Sequence, residues 1–412
     1  MKILFVCHRL PFPPNRGGKI RPFHMIQHLS RQHSVVVASL AESEQELRAG
    51  AGLKNYCTEV IAEVLPRTVR WTQACKALIT NAPSSVAYFC SSRLRRRIQK
   101  ALLQTRFDVV FVHCAFVAQY VTGVQGGFRF LDFGDIDSGK WFDYSRWRAM
   151  PLSFGYGIEA RKLRAYEREV AKHFHQCTVS TRGELNEFQM LNIPVPCEVI
   201  PNGVDITYFK RNSQRTRNSS AIVFLGRMDY FPNIDGVLYF VEKIFPSIRQ
   251  SLPEVELRIV GSNPARKVRR LAELPGVSVT GHVPDVRPYL LDAAVSIAPL
   301  RIARGVQNKI LESMAMGIPV VATPEAAKGV QAIPGQDLLV AETPEGFASQ
   351  VLEVLRNMQL REDLSRAGRQ HVENVYTWAR SMGVLDHVLE SARSKEKSQA
   401  PKADSKILGL SC

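Results

Sequence analysis

The sequence predicts an α/β protein made of two similar domains in series, each built on a parallel sheet. Three observations carry this. Short apolar runs alternate with amphipathic stretches along most of the chain. A polar, aperiodic segment near residues 206–220 separates two such series. The length, 412 residues, exceeds what one hydrophobic core usually organises.

Lys2–Cys7 (KILFVC) is a short apolar run closed by a proline-rich break, the pattern of a buried strand. A glycine-containing loop over Pro13–Gly18 follows, then a helix from Lys19 to Arg31 and a strand over Ser34–Leu40, which is how a parallel sheet opens. The alternation continues through strands at Asp108–Val112 and Phe128–Asp132, a charged helix at Ile158–Phe174, and a strand at Gln176–Ser180. That helix carries Leu163, Tyr166, Val170 and Phe174 at helical spacing, as expected where it lies on a sheet. Ile206–Ser220 (ITYFKRNSQRTRNSS) reads as a linker. The second series runs AIVFLG, a helix at Ile234–Ser251, ELRIVG, VSVTG, VSIAPL, a helix at Val306–Met316 and IPVVAT. A helix over Pro344–Arg356 and another after Trp378 complete it. The Lys/Ser-rich tail from Ser394 is expected to be disordered. The predicted domains are therefore 1–205 and 206–376, with 377–393 as a helix crossing back and 394–412 as the tail.

At 45% hydrophobic and 22% charged, the composition is that of a globular protein. Lys and Arg number 54 against 38 acidic residues, a net charge of +16 that suits an anionic partner: nucleic acid, an anionic membrane surface or a phosphorylated substrate. The absence of any recognisable nucleic-acid module, with basic residues dispersed, argues against the first. Eight cysteines without a C-x-x-C pair, several within apolar runs, suit buried free thiols in a reducing compartment. The amino terminus, MKILFVCHRLPFPP, is too short in apolar residues for a signal peptide, and no run approaches the roughly 18–20 apolar residues that span a bilayer. The expected location is cytoplasmic, with membrane contact only peripheral. One basic amphipathic helix, within Ser91–Phe107, sets Leu94, Ile98 and Leu102 on a stripe with Arg93, Arg96, Arg97 and Lys100 around it. That pattern fits an anionic lipid surface or a solvated face equally.

Two segments carry the chemistry. Gly17-Gly18 falls between the first strand and first helix, where missing side chains let backbone N–H groups approach a phosphate or sugar. In Pro299–Val321 (PLRIARGVQNKILESMAMGIPVV) a strand ends, a glycine loop follows and a helix opens near Val306, offering free N–H groups to a diphosphate. Lys309 and Glu312 share a face of that helix. A cation beside a diphosphate and a carboxylate accepting from ribose hydroxyls is what a nucleoside diphosphate requires; an ordinary surface ion pair has the same spacing.

These segments occur with VIPNGVD (Val199–Asp205), FLGRM (Phe224–Met228), RIVG (Arg258–Gly261) and VTGHVPDV (Val279–Val286). In this order they resemble the donor-binding half of family 4 retaining glycosyltransferases of the GT-B fold, densely over Glu198–Val340 and more thinly before it. With DFGDIDSGKW (Asp132–Trp141), GRMDYFPNIDG and GVQNKILESMAMG, the chain looks most like the sugar transferases of PEP-CTERM/exosortase exopolysaccharide systems. The resemblance implies two Rossmann-like domains facing across a cleft and sugar transfer from a nucleotide-sugar, UDP before GDP. The acceptor it implies is a saccharide, often lipid-linked. No cofactor or metal is expected, because enzymes of this kind use positive side chains and helix dipoles. By the same resemblance His113 lies beside the transferring sugar, Arg227 and Lys309 neutralise the diphosphate, and Glu312 holds the ribose. Gly17, Gly18, Asn202, Gly226, Gly305, Val306 and Gln307 contact the donor, with the backbone near His282 and Val283 at the base. Asp132, Asp135 and Lys140 face the acceptor; Asp137 completes an aspartate cluster whose spacing does not suit a metal.

Two positions depart from the pattern. Where an E-x7-E pair would begin, the chain has Arg304, also placed at the donor. An arginine there either reads a carboxylated sugar or turns to solvent. Asn233 occupies the region of a lysine that normally follows the G-R turn. Front-face departure and attack, resting on diphosphate stabilisation and positioning, is the mechanism this implies. A sugar-nucleotide epimerase of the same fold and a basic nucleic-acid-binding protein are the alternatives.

Overall fold

The computed structural model describes residues 1–123, 126–210 and 220–399, with side chains to residue 391. The first sheet comprises β1 (Lys2–Cys7), β2 (Ser34–Ala41), β3 (Glu59–Val64), β4 (Val109–His113), β5 (Phe128–Gly134), β6 (Gln176–Val179) and β7 (Cys197–Val199). All pairs are parallel, in the order β3-β2-β1-β4-β5-β6-β7. The second sheet comprises β8 (Ala221–Leu225), β9 (Glu256–Val260), β10 (Val277–Val279), β11 (Val295–Ala298), β12 (Val320–Ala322) and β13 (Leu339–Val340). It too is all parallel, ordered β10-β9-β8-β11-β12-β13. The central strands of both sheets, β1, β4, β8 and β11, are the apolar runs of the sequence, buried on both faces as a parallel sheet requires.

The chain passes between the domains twice, side by side. Val204 N–H donates to Tyr376 O at 2.7 Å, and a bridge joins Val204 to Thr377. Gly203 makes this possible: a Cβ there would lie 2.6 Å from the Trp378 backbone nitrogen. The helix that follows, Trp378–Gln399, packs Met382, Leu385, Val388 and Leu389 into the core of the first domain with Ile3, Phe5, Ile26 and Phe130.

Several expectations need correction. The first helix spans Gly17–Leu29, so the glycine pair forms its first turn and not the loop before it. A helix over Met358–Val375 has no counterpart among the expected elements: its apolar residues are sparse, and Gly368 interrupts them because the Asp337 carbonyl approaches too closely for a Cβ, 2.8 Å away. Residues 394–399 belong to the last helix; they are Lys, Glu, Gln and Ser. The rest of the expected tail, 400–412, lies outside the described residues, as do 211–219 of the expected linker. Ile206 and Phe209, also assigned to that linker, pack on the second domain's core. Cys75 is exposed, unlike the buried Cys7, Cys114 and Cys177.

Candidate functional site

In each sheet the strand order reverses beside the first strand, at β1/β4 and at β8/β11, which opens a crevice at the carboxyl ends of those strands. His8 follows β1 and His113 ends β4, with ring centroids 5.8 Å apart. Across the cleft, Gly226 and Arg227 follow β8, and β11 leads into the loop 299–307.

His113 is held from behind. Its Nδ1 is 2.7 Å from Asp132 Oδ2, and Asp132 also accepts from Arg21 (Nε 2.9 Å, Nη2 2.6 Å) and from Thr178 Oγ1 at 2.8 Å. Burial alone would raise the Asp132 carboxyl; the Arg21 guanidinium and the His113 hydrogen bond overrule it and hold it well below the usual carboxylate range. This corrects the placement of Asp132 at the acceptor. It is fully enclosed with both oxygens engaged, and it orients the imidazole instead. Arg21 also donates from Nη1 to Ile200 O (2.7 Å) and Asn202 Oδ1 (3.1 Å). Asn202, expected at the donor, therefore ties the interdomain strand to the same buried cluster.

Gly17 and Gly18 are exposed, and a Cβ at Gly18 would meet nothing nearer than Arg9 Cδ at 3.6 Å and His8 Nε2 at 3.7 Å. The packing does not demand glycine there; it leaves open space beside the helix start. Arg9 and Arg16, which the sequence did not mark, stand at this space with Glu42 (2.8 Å) and Glu46 (3.1 Å) as partners.

In the second domain the helix after β11 begins at Asn308 with Gln307 as its cap residue, so Gly305 and Val306 belong to the preceding loop. Lys309 Nζ donates to Asn233 Oδ1 at 2.5 Å, and Asn233 Nδ2 donates to Arg227 O at 2.9 Å. Asn233 thus couples the Gly226-Arg227 turn to Lys309, which explains how the chain accommodates its departure from the family pattern. Burial, opposed by the nearby Glu312 carboxylate, brings the Lys309 ammonium down to about 7; burial, opposed by Lys309, brings Glu312 up to about 7. Arg227 is half-exposed and forks onto Asp229 (Nε–Oδ1 3.1 Å, Nη2–Oδ2 2.6 Å). His282 is exposed and Val283 half-buried in the loop after β10.

The domains meet through the loop 299–307. Arg304 does not turn to solvent, which corrects that reading. Its guanidinium crosses to the first domain, with Nε 2.5 Å from Asp143 Oδ2, Nη2 3.5 Å from Glu187 Oε1 and Nη1 3.7 Å from Glu184 Oε1. It covers Gly139, where a Cβ would lie 2.4 Å from Nη1. Gly305, at φ 61°, sits against Asp135: a Cβ there would fall 2.3 Å from Oδ1. Asp135 Oδ1 accepts from Ser180 Oγ at 2.7 Å. Lys140 lies over the rings of Trp141 and Tyr230, at 5.6 and 5.9 Å, and lines a small pocket with Tyr144, Tyr230, Arg304 and Gln307. Burial, against the attraction of Lys140 and with the repulsion of Asp135, raises Asp137 to about 6. Among the described residues no group of three or more His, Cys, Asp or Glu is arranged to hold a metal ion.

The basic helix spans Ser92–Gln104, with Leu94 and Ile98 buried. Arg93 and Arg97 pair with Glu63 at 3.1 and 2.6 Å, and all four cations, Arg93, Arg96, Arg97 and Lys100, are exposed. Among the described residues no helix is long and apolar enough to cross a membrane.

Residues 219–357, from the second sheet and its helices, match the family described as glycosyl transferases group 1. That match covers the second domain and not the first. No curated protein matches. Similar solved structures include a sucrose-phosphate synthase from Thermosynechococcus elongatus, at 14% identity and TM-score 0.70 over 95% of this chain and 100% of that one. HepE of Anabaena, solved with UDP and glucose, gives 12% identity and TM-score 0.68 over 95% and 100%. A mutant form of TarM from S. aureus, solved with fondaparinux, α-GlcNAc-glycerol and UDP, gives 11% and 0.64 over 93% and 98%. At these identities the likeness is one of fold, and that fold is GT-B: two Rossmann-like domains across a cleft.

Proposed function

We propose that the chain moves a sugar, with retention, from a nucleoside diphosphate sugar to a saccharide acceptor. The second domain takes the donor and the first takes the acceptor. The observation that carries this reading is Lys309: a half-buried lysine at the start of the helix after β11, hydrogen-bonded to a neutral amide and depressed in pKa by burial. Such a cation is stabilised by an arriving anion, and the free N–H groups of the helix start add to it. Glu312, one turn on, suits ribose hydroxyls. Arg227 reaches the diphosphate by exchanging Asp229 for it. His113, oriented by Asp132 and Arg21, meets the sugar from the opposite wall, where Gly17 and Gly18 leave room.

UDP is the donor nucleotide in this reading, supported by the UDP and UDP-glucose complexes of HepE. The acceptor is lipid-linked, in exopolysaccharide assembly of the PEP-CTERM kind, and the enzyme works on the cytoplasmic face of the membrane without cofactor or metal. Asp135 and Lys140 stay at the acceptor side, and His282 and Val283 at the base. The test is release of nucleotide from a panel of UDP- and GDP-sugars, with and without saccharide acceptors and with and without EDTA. Isomerised nucleotide-sugar formed without acceptor would identify an epimerase instead, and activity lost to EDTA and restored by a divalent ion would overturn the metal-free mechanism.

A further inference from the structure

The first domain has one edge of unusual character. Between Glu63 and Asp108 the chain contains no acidic residue at all, and Arg67 and Lys76 stand exposed on the helix that follows β3. The same helix and the turn after it expose apolar side chains that nothing among the described residues covers: Trp71 at 55%, Leu78 at 62% and Ile79 at 93%. A scattered exposed leucine is ordinary, but a tryptophan and an almost fully exposed isoleucine at one helix and its following turn, on a stretch whose only charges are cations, are not. This helix, Arg67–Ala77, leaves the carboxyl end of β3, on the cleft side of the sheet.

A second apolar edge is tied to the first. Lys162 Nζ donates to the carbonyls of Ala77 and Leu78, both at 3.1 Å. Phe154, 62% exposed, lies earlier on the same helix as Lys162, about 12 Å away at 1.5 Å per residue. Leu152 (54%) and Met150 (72%) stand beside it at the preceding turn.

We propose that this edge of the first domain, centred on Trp71, Leu78 and Ile79, docks on an anionic lipid surface. Apolar side chains enter the acyl boundary while the surrounding cations meet the headgroups, the combination that holds peripheral proteins at an interface. Charge complementarity selects this occupant over a second copy of the chain, since two such edges would repel. The surface is distinct from the stripe of the Ser92–Gln104 helix, whose Leu94 and Ile98 are buried in the core. Resting on the transferase reading, a second consequence follows. Trp71 meets Tyr88 (ring centroids 5.5 Å), Tyr88 meets Phe89 (5.0 Å) and Phe89 meets His8 (5.3 Å). This aromatic row leads from the docked edge to the His8–His113 crevice, and so serves an amphiphilic acceptor drawn from the bilayer.

The docking claim is tested without any substrate. Full-length protein is floated with vesicles of phosphatidylcholine alone and with anionic phosphatidylglycerol added, at low and high salt. Binding is expected only to the anionic vesicles. Arg67→Glu and Lys76→Glu should weaken it by about fivefold or more each, and the double variant Leu78→Ser, Ile79→Ser by about tenfold or more. Trp71 fluorescence should be quenched by brominated acyl chains. All sites are exposed, so melting temperatures should hold. Equal partition onto both vesicles, no binding at low salt, or unchanged binding of the double variant overturns the proposal. So does wild type sedimenting as a dimer that the double variant converts to monomer. Loss of transferase activity with lipid binding intact bears on the transferase reading alone.

Discussion

Arg304→Ala should loosen the contact between the domains without destabilising either one. The guanidinium is only 19% exposed and reaches three carboxylates, Asp143, Glu184 and Glu187, all in the first domain, while Arg304 itself belongs to the second. At an effective dielectric of about 20, unit charges about 4 Å apart attract by roughly 4 kcal/mol. Desolvation of a partly buried guanidinium cancels much of this, leaving a net of about 1–3 kcal/mol. Because the partners lie on opposite sides of the cleft, this acts on the open–closed equilibrium and shifts it by about 5- to 150-fold. Small-angle scattering should show a larger radius of gyration for Arg304→Ala in the absence of ligands, with Arg304→Lys intermediate because it keeps charge but loses the fork. A double-mutant cycle with Asp143→Asn should give a coupling above about 0.5 kcal/mol. An unchanged radius together with additive effects in the cycle would refute the clamp. Since three carboxylates already occupy the guanidinium, UDP-glucuronate should gain no preference over UDP-glucose from Arg304.

Four further outcomes are expected. Lys309→Ala and Glu312→Ala should each lose about 2–4 kcal/mol of transition-state stabilisation while melting normally. Wild type should also take up protons on binding UDP near neutral pH, because the diphosphate restores charge to Lys309; calorimetry in two buffers of different ionisation enthalpy reads this directly. Asp132→Asn should lower kcat through a misoriented His113 and leave UDP affinity unchanged; loss of UDP binding instead would place His113's support at the donor. Glu167 is fully buried, and burial raises it from 4.5 to about 8, so its contribution to stability is complete below pH 4.5 and is lost as the pH rises towards 8. Glu167→Gln should therefore flatten the decline in unfolding free energy between about pH 5 and 8, worth on the order of 3 kcal/mol near neutral pH; parallel curves for the two proteins would show that the burial does not act this way.

By itself, the sequence determined the succession of strands and helices, because a doubly buried strand must be a short apolar run and a helix on a sheet must show its stripe. It also singled out the loop after β11, Lys309 and Glu312 as donor-site candidates, since the glycine loop, the helix start and the two charges are contiguous in the chain. The helix Met358–Val375 escapes such a reading because its buried stripe, Arg361, Leu364, Gly368 and Val372, is only half apolar; Arg361 Nε and Nη2 donate to the Val354 and Leu355 carbonyls at 3.1 and 2.6 Å. What only the tertiary structure decided is which charges meet. Arg21 is 111 residues from Asp132 and Arg304 is 161 from Asp143, and no local period links them. Packing of the first helix on the sheet brings the first pair together inside one domain, and the contact of two domains brings the second pair together across the cleft. The same aspartate or arginine is a ligand contact, a positioning residue or a clamp according to that juxtaposition, and so Asp132 and Arg304 acquired roles that their neighbours in sequence do not specify.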